Sequence, residues 1–517
     1  MSLLSVQFLI FFLLIMTVYY ILPGRFQWIW LFACSIFYFY ITSSKYSTIL
    51  FIVFCLLNWI ASLNICNRDK SVCRRNYIVI LIFDIFFLCY FKYFGFFADI
   101  FYDILSIFID NPSISFVEKL RSYSLNFAPA HISYFALIVI GYITDVYWGK
   151  VEVQKNPCKM VLFTSYFPQV LSGPIVTYEN ISDQLWGDKH RFDIDRFLLG
   201  MERVLWGIFK KLVIAERLGV IVGYIYDSYE VYPGFYIFIA AAFFALQLYC
   251  DFSGLMDIVL GYSECLGINL PENFQTPFYS QDLSEFWRRW HITLGAFLRD
   301  YVLYPIQRSK IFKNMRKRFK ERFGKGYEKK CNVPLHLSLL ISWFLIGLWH
   351  GGGYNYIFGV GIYMWAVIVI GDICKPLFAK LVSILHINTE CFSFVLFRRI
   401  RTFLLFIFGL SFFRARTLTD GFLMWKSAFS EFNPWIFFDR SIYSMGLDRQ
   451  ELDIAVVGLI LLFIVSFISQ KEDVRELLHK QNYLFRIIVV SVLFVMTIMW
   501  GYYGTEFNAA NFIYGRF

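Results

Sequence analysis

The sequence predicts an all-α, polytopic integral membrane protein, and three observations carry that prediction. Of its 517 residues, 58% are hydrophobic and 21% aromatic, which is too apolar for an ordinary soluble domain. Runs long enough to cross a bilayer, which takes about 20 apolar residues, recur along the whole chain. Ionisable residues gather between those runs and in one region, 249–353, where acids, arginines and two histidines stand close together. Such groups are costly to place in lipid and mark the working site of a membrane protein.

Taken in order, the first run, 3–22, lies in a stretch without a single charge. It is too long for a signal-peptide core and lacks a small-x-small cleavage site, so it is read as a retained helix. Further spans are expected near 26–42, 47–65, 77–99, 131–148, 197–226, 234–262, 335–350, 355–378, 399–413, 453–470 and 485–502, for a total of about 11–13 crossings with re-entrant or interfacial helices beside them. Segment 160–176 is shorter and is interrupted by Pro168, Gly173 and Pro174. A re-entrant path suits it, because broken backbone at membrane depth is tolerated where it is packed inside protein or lines water.

Orientation follows from the basic residues. Arg68, Lys70, Arg74 and Arg75 follow the third span, whereas Asp99, Asp103, Asp110 and Glu118 outnumber Lys119 and Arg121 after the fourth. The first of these loops is therefore expected in the cytoplasm and the second outside. The segment 307–330 holds eleven Lys and Arg against Glu321 and Glu328, and is expected to be a basic cytoplasmic loop. It serves as a topology signal or, in addition, attracts an anionic cytosolic substrate or anionic lipid. The whole chain reads as one membrane domain, with N-terminal helices over 1–128, a core region over 129–378 and C-terminal helices over 379–517.

Several function classes fall away. The net charge of +10 sits beside apolar spans, where the positive-inside rule accounts for it better than nucleic acid does. The eleven cysteines show no CxxC pair or metal-ligand spacing and read as small core residues. No GxxxxGK[ST] loop that would serve an ATP-driven pump is present, nor an HExxH helix, a Ser-His-Asp order or an acidic metal cluster.

The chemistry is expected from the region 249–353. His350 closes the apolar run LHLSLLISWFLIGLW and precedes Gly351, Gly352 and Gly353, whose missing side chains let the backbone open and a substrate come close. A neutral imidazole there suits a general base, since its pKa lies near working pH; a satisfied core histidine is the plainer alternative. His291 ends SEFWRRWH, where helical spacing would put Trp287 and His291 on one face and Glu285, Arg288 and Arg289 on the neighbouring one. A tryptophan–arginine mixture of this kind also suits a membrane-surface anchor. Asp251 and Asp257, near Ser253 and Gly254 in an apolar span, need partners such as Arg288, Arg289 or Arg299, and a structural ion pair suits them better than catalysis.

These stretches also resemble a family. PAHISYFALIVIGYITDVYWGK (129–150), FPQVLSGPIVTYENISDQL (167–185), LWGIFKKLVIAERL (205–218), the long stretch 245–306, GLWHGGGYNYIFG and the terminal NFIYGRF together resemble the membrane-bound O-acyltransferases, in particular their alginate O-acetyltransferase and teichoic acid D-alanyl transfer branches. Departures from the family pattern are His131 in place of a glycine, Leu255–Met256 after DFSG, Tyr354 in place of a tryptophan, and FIYGRF at the end.

The resemblance implies a ring of helices around a central tunnel joining a cytosolic acyl donor to an acceptor on the far side. It implies that the two family histidines fall on His291 and His350, the second of them catalytic. Supporting or donor-binding roles go to Asp251, Ser253, Asn273, Glu285, Trp287, Arg288, Arg289, Trp349 and Asn355. It further implies an O-acyltransferase of the bacterial cytoplasmic membrane that carries acetyl from acetyl-CoA toward hydroxyls of an extracytoplasmic polysaccharide. No metal or bound cofactor is expected, and a separate extracytoplasmic transferase is expected as partner. D-alanyl transfer to teichoic acid from a carrier protein is the alternative within the class, and a polysaccharide or ion transporter the alternative outside it.

Overall fold

The structure is a computed structural model and describes residues 2–66, 69–109, 114–187, 190–324, 326 and 332–503. Arg68, Asp110, Lys325, Glu328, Lys329, Lys330 and the terminal NFIYGRF therefore lie outside the described residues. Every named element among the described residues is helical, as the apolar runs required. Each of the twelve expected spans coincides with helix, among them Val6–Ile21, Gly24–Thr42, Lys45–Cys66, Ile132–Tyr147, Phe235–Cys265, Val333–Gly351 and Tyr483–Trp500. Seven helices among the described residues are long and apolar enough to cross a membrane.

The interrupted segment behaves as its sequence dictates. Helix Pro157–Ser165 starts with Asn156, whose side chain accepts from the amide of Cys158, and with Pro157 in the first turn, where a missing N–H costs nothing. Beyond Ser165 the chain leaves the helical path until Tyr178–Trp186, yet residues 166–170 are buried. Gln169 Nε2 donates to the carbonyl of Pro174 at 3.0 Å, and the Tyr134 hydroxyl donates to the same oxygen. Protein groups thus satisfy backbone that lipid could not.

The expected basic loop is instead partly a helix, Lys310–Phe323. Ser309 caps its start, Gly324 at φ 81° closes it, and Phe312, Met315 and Phe319 recur at helical spacing on its half-buried side. The apolar period was present among the charges, and it decides the conformation.

The described residues pack as two compact units: those within 2–208 with 254–271 and Tyr503, and those within 209–253 with 272–502. In the first unit the helix Ile194–Phe209 meets the later half of Phe235–Cys265 through glycines. A Cβ on Gly200 would lie 2.7 Å from the carbonyl oxygen of Gly261, and one on Gly207 2.5 Å from that of Gly254. Small residues let helix backbones approach in a medium that offers no hydrophobic drive between them. The second unit uses the same device. A Cβ on Gly347 would meet Ile357 Cα at 2.8 Å, and one on Gly359 would press on the carbonyl of Gly409. This packing fixes the end of the helix that carries His350.

Candidate active site

The residues of the site belong to the second unit, whereas Asp257 and Arg203 belong to the first. His350 sits in the last turn of Val333–Gly351 and is 3% exposed. Gly352, at φ 61°, ends the helix and donates its N–H to the carbonyl of Leu348 at 3.1 Å. Gly351, the residue before it, stands against Tyr356. A Cβ there would lie 2.6 Å from the Tyr356 ring, so the glycine makes room for that tyrosine. The His350 ring packs against Phe413 at 5.4 Å and against Trp349 at 5.0 Å, and Tyr356 in turn packs on Phe413 at 4.8 Å.

His291 reaches the same tryptophan from another part of the chain, its ring 5.6 Å from that of Trp349. Trp287 and His291 do not share a helix face. Helix Leu283–Arg289 stops at Arg289, Trp290 is extended, and His291 adopts φ 49°, ψ 50° before Ile292–Leu298 begins. The competing interaction is a short bridge between Phe274 and Trp290. It is extended by the amide of Gln275 donating to the Arg289 carbonyl at 2.9 Å and that of Ile292 donating to the Asn273 carbonyl at 3.0 Å. A left-handed conformation at a residue other than glycine is strained and persists where the surroundings over-determine it.

Asn273 is the residue that does so. Its Oδ1 accepts from the Thr293 amide at 3.1 Å and the Thr293 hydroxyl at 3.0 Å, and lies 3.3 Å from His291 Nδ1. Phe252, in the DFSG stretch, packs edge-on to the imidazole at 4.8 Å. Burial pushes the His291 pKa down to about 3, so the ring is neutral at physiological pH. Since the unfolded chain carries an ordinary histidine of pKa about 6.5, this residue favours folding less as pH falls below that value. Asn273→Ala should release both imidazole and helix start, costing about 1–3 kcal/mol for the buried groups left unsatisfied. The unfolding midpoint of detergent-solubilised protein should drop and turnover should fall with it; unchanged values of both would remove Asn273 from this role.

The remaining expected site residues separate into supports and bystanders. Asp251, 1% exposed, accepts from Lys211 Nζ at 2.5 Å, and Lys211 also reaches Glu216 at 2.6 Å. The partner is therefore a lysine on the π-helical turn Lys210–Ala215, where arginines 288, 289 or 299 had been expected. Asp257 likewise pairs with Arg203, at 3.0 Å. Ser253 accepts from Lys210 Nζ at 2.8 Å. Glu285 and Arg289 pair with each other at 2.7 Å, and Glu285 also accepts from the Gln281 amide at 2.8 Å, so both fasten the loop. Trp287 packs edge-on to Trp343 at 5.1 Å, beneath the helix that carries His350. Arg288 is exposed, and Asn355 donates to the Ala415 carbonyl at 3.1 Å. Among the described residues no cluster of three or more His, Cys, Asp or Glu could hold a metal.

Lys210, Lys211, Thr293 and Phe413 were missed as functional neighbours. Two adjacent lysines inside an apolar run were a legible signal; Phe413 and Thr293 carried none.

Fold and site together define a polytopic helical membrane protein in which two buried imidazoles, from separate segments, pack on one tryptophan at a helix end. The chain belongs to the membrane-bound O-acyltransferase family, whose model matches residues 35–319; His291 falls inside that match and His350 beyond it. The chain is 30% identical over 394 residues to the probable alginate O-acetylase AlgI of Pseudomonas syringae pv. tomato, covering 76% of this chain and 68% of that one. It is 26% identical to the peptidoglycan O-acetyltransferase of Helicobacter pylori (64% and 61% covered). To the teichoic acid D-alanyltransferase of Streptococcus thermophilus it is 25% identical (47% and 56% covered). Over other AlgI relatives, from Pseudomonas fluorescens and Pseudomonas aeruginosa, the match spans 55% and 61% of their length.

Proposed function

We propose that this O-acyltransferase takes acetyl from cytosolic acetyl-CoA and passes it toward hydroxyls of an extracytoplasmic polysaccharide across the bacterial cytoplasmic membrane. The observation that carries this reading is the meeting of His291 and His350 on Trp349 in a chain of this family. The names of its relatives support acetyl over D-alanyl, since the match to the O-acetylases covers more of the chain than the match to the D-alanyltransferase. His350 removes the proton from the accepting hydroxyl as its oxygen attacks the thioester carbonyl; the C–S bond breaks and coenzyme A leaves as a thiol, taking up a proton. His291, neutral and held by Asn273, orients donor or acceptor through the shared tryptophan. A separate extracytoplasmic transferase completes delivery to the polymer.

The test is transfer of labelled acetyl from acetyl-CoA in proteoliposomes. Label from a D-alanyl carrier protein with none from acetyl-CoA would replace the acetyl reading with the D-alanyl one.

The helix Lys310–Phe323 is proposed to gather the anionic donor by long-range attraction. Lys317, Arg318 and Lys320 are exposed, whereas Arg316 donates to the Gln307 carbonyl at 2.6 Å and is left in place. Changing the three exposed residues to glutamine should raise the apparent KM for acetyl-CoA at low salt and flatten its salt dependence. Identical salt curves for variant and wild type would reduce the helix to a topology signal.

A further inference from the structure

A second cluster lies away from the histidines, where three arginines of the helix Phe392–Arg414 converge on residues 279–282. Arg399 Nε donates to the Tyr279 carbonyl at 3.0 Å, and its guanidinium lies 5.2 Å from the centre of the Tyr279 ring. Arg401 donates through Nη2 to the Gln281 carbonyl at 2.9 Å, and Arg398 stands 3.9 Å from Asp282. Asp282 is the acid paired with them, and its other oxygen caps the following helix by accepting from the Glu285 amide at 2.8 Å.

Two polar atoms of this cluster, Ser280 Oγ and Arg401 Nε, are buried and make no hydrogen bond among the described residues. A guanidinium offers five N–H donors in a planar fork that matches phosphate oxygens, and the contacts to residues 279–282 use few of them. Three arginines in the first half of an apolar helix are expensive unless something is gained by their presence.

The N–H groups that these contacts leave over suit the oxygens of phosphate. The location suits a donor from the cytosol. His336, near the start of Val333–Gly351, bonds Asp372 in the later half of the returning helix at 2.9 Å. The helix Phe392–Arg414 therefore begins at the same end as the basic segment that the charge rule places in the cytoplasm.

We propose that Arg398, Arg399 and Arg401 bind the phosphate groups at the nucleotide end of a coenzyme A thioester. This rests on the acetyl-CoA reading above and adds to it the site that holds the end of the donor remote from the reacting carbonyl. Binding energy from that end would position the thioester.

The experiment uses the full chain in phosphatidylcholine nanodiscs, with 3′,5′-ADP as the binding probe and acetyl-CoA and acetyl-pantetheine as alternative donors. Arg398→Gln and Arg399→Gln should each lower kcat/KM for acetyl-CoA relative to acetyl-pantetheine about tenfold, the scale of one lost charge-assisted contact. They should also weaken calorimetric binding of 3′,5′-ADP. Arg398 makes the slighter internal contact, so its variant covers the case in which Arg399→Gln misfolds. An unchanged donor ratio in Arg398→Gln with undiminished 3′,5′-ADP binding would overturn the site and leave the arginines as fasteners of the loop. Arginine-dependent binding of phosphatidylglycerol without binding of 3′,5′-ADP would overturn it in favour of a lipid headgroup. Arginine-dependent binding of 3′,5′-ADP by a protein that draws no acyl group from acetyl-CoA would uphold the site while sinking the acetyl-CoA reading.

Discussion

His350→Ala should reach the membrane at the wild-type level and transfer acyl groups about 10²–10⁴-fold more slowly, the usual worth of a positioned general base. Donor binding should change far less, because in the proposed mechanism the imidazole acts on the acceptor's proton in the transition state. The ring also packs against Trp349 and Phe413, so the truncation leaves a gap beside two aromatic rings and some stability goes with it, on the order of 1–2 kcal/mol. His350→Gln fills more of that space without a base of suitable pKa, and it should be as inactive while unfolding closer to the wild type. Transfer at a near wild-type rate by either variant, measured on protein shown to be folded, would return His350 to the role of a core histidine. His291→Ala should impair turnover too, through loss of orientation, and residual activity there is compatible with a ring held neutral by burial.

How much of this was legible beforehand depends on the kind of signal. The spans were, because an apolar run of sufficient length has one low-cost structure in lipid. The broken segment near Pro168, Gly173 and Pro174 was legible for the same reason. His350 could be singled out by its place at the end of an apolar run. The break before His291 could not, because SEFWRRWH is a sound helical pattern by itself and what overrides it is pairing with residues 273–275, distant in sequence. The partner of Asp251 was misread on the same account. Arginines 288 and 289 stand nearer in the chain, but Lys211 is delivered by a different helix, and periodicity within one element says nothing about which element faces it. The helix within the basic segment was obscured by charge density, although Phe312, Met315 and Phe319 kept the period. Arg398, Arg399 and Arg401, at the start of the expected span 399–413, carry no sequence signal of the loop 279–282 that lies against them.

The ion pair of Lys211 carries the second large effect. Lys211 and Asp251 have side chains only 3% and 1% exposed, and Glu216, the lysine's second acid, is 23% exposed. Lys211→Met leaves two carboxylates facing a site that has lost its ammonium group, and removing one partner of a buried pair costs about 3–5 kcal/mol. That is a large fraction of the stability of most folded proteins, so the variant should accumulate poorly and unfold well below the wild type in detergent. Asp251→Asn is the informative contrast. It keeps an acceptor for Lys211 Nζ and leaves the 2.6 Å pair with Glu216 intact, so a far smaller loss is expected, with acyl transfer retained. Removing both charges, as Lys211→Met with Asp251→Leu, should recover part of the loss seen with Lys211→Met alone, because the deeper of the two stranded carboxylates is then gone; the coupling is read from the double-mutant cycle. A Lys211→Met protein with an unshifted unfolding midpoint would show that the buried lysine is not needed to hold the Asp251 helix. An Asp251→Asn protein that folds normally yet transfers nothing would move this carboxylate from the scaffold into the chemistry.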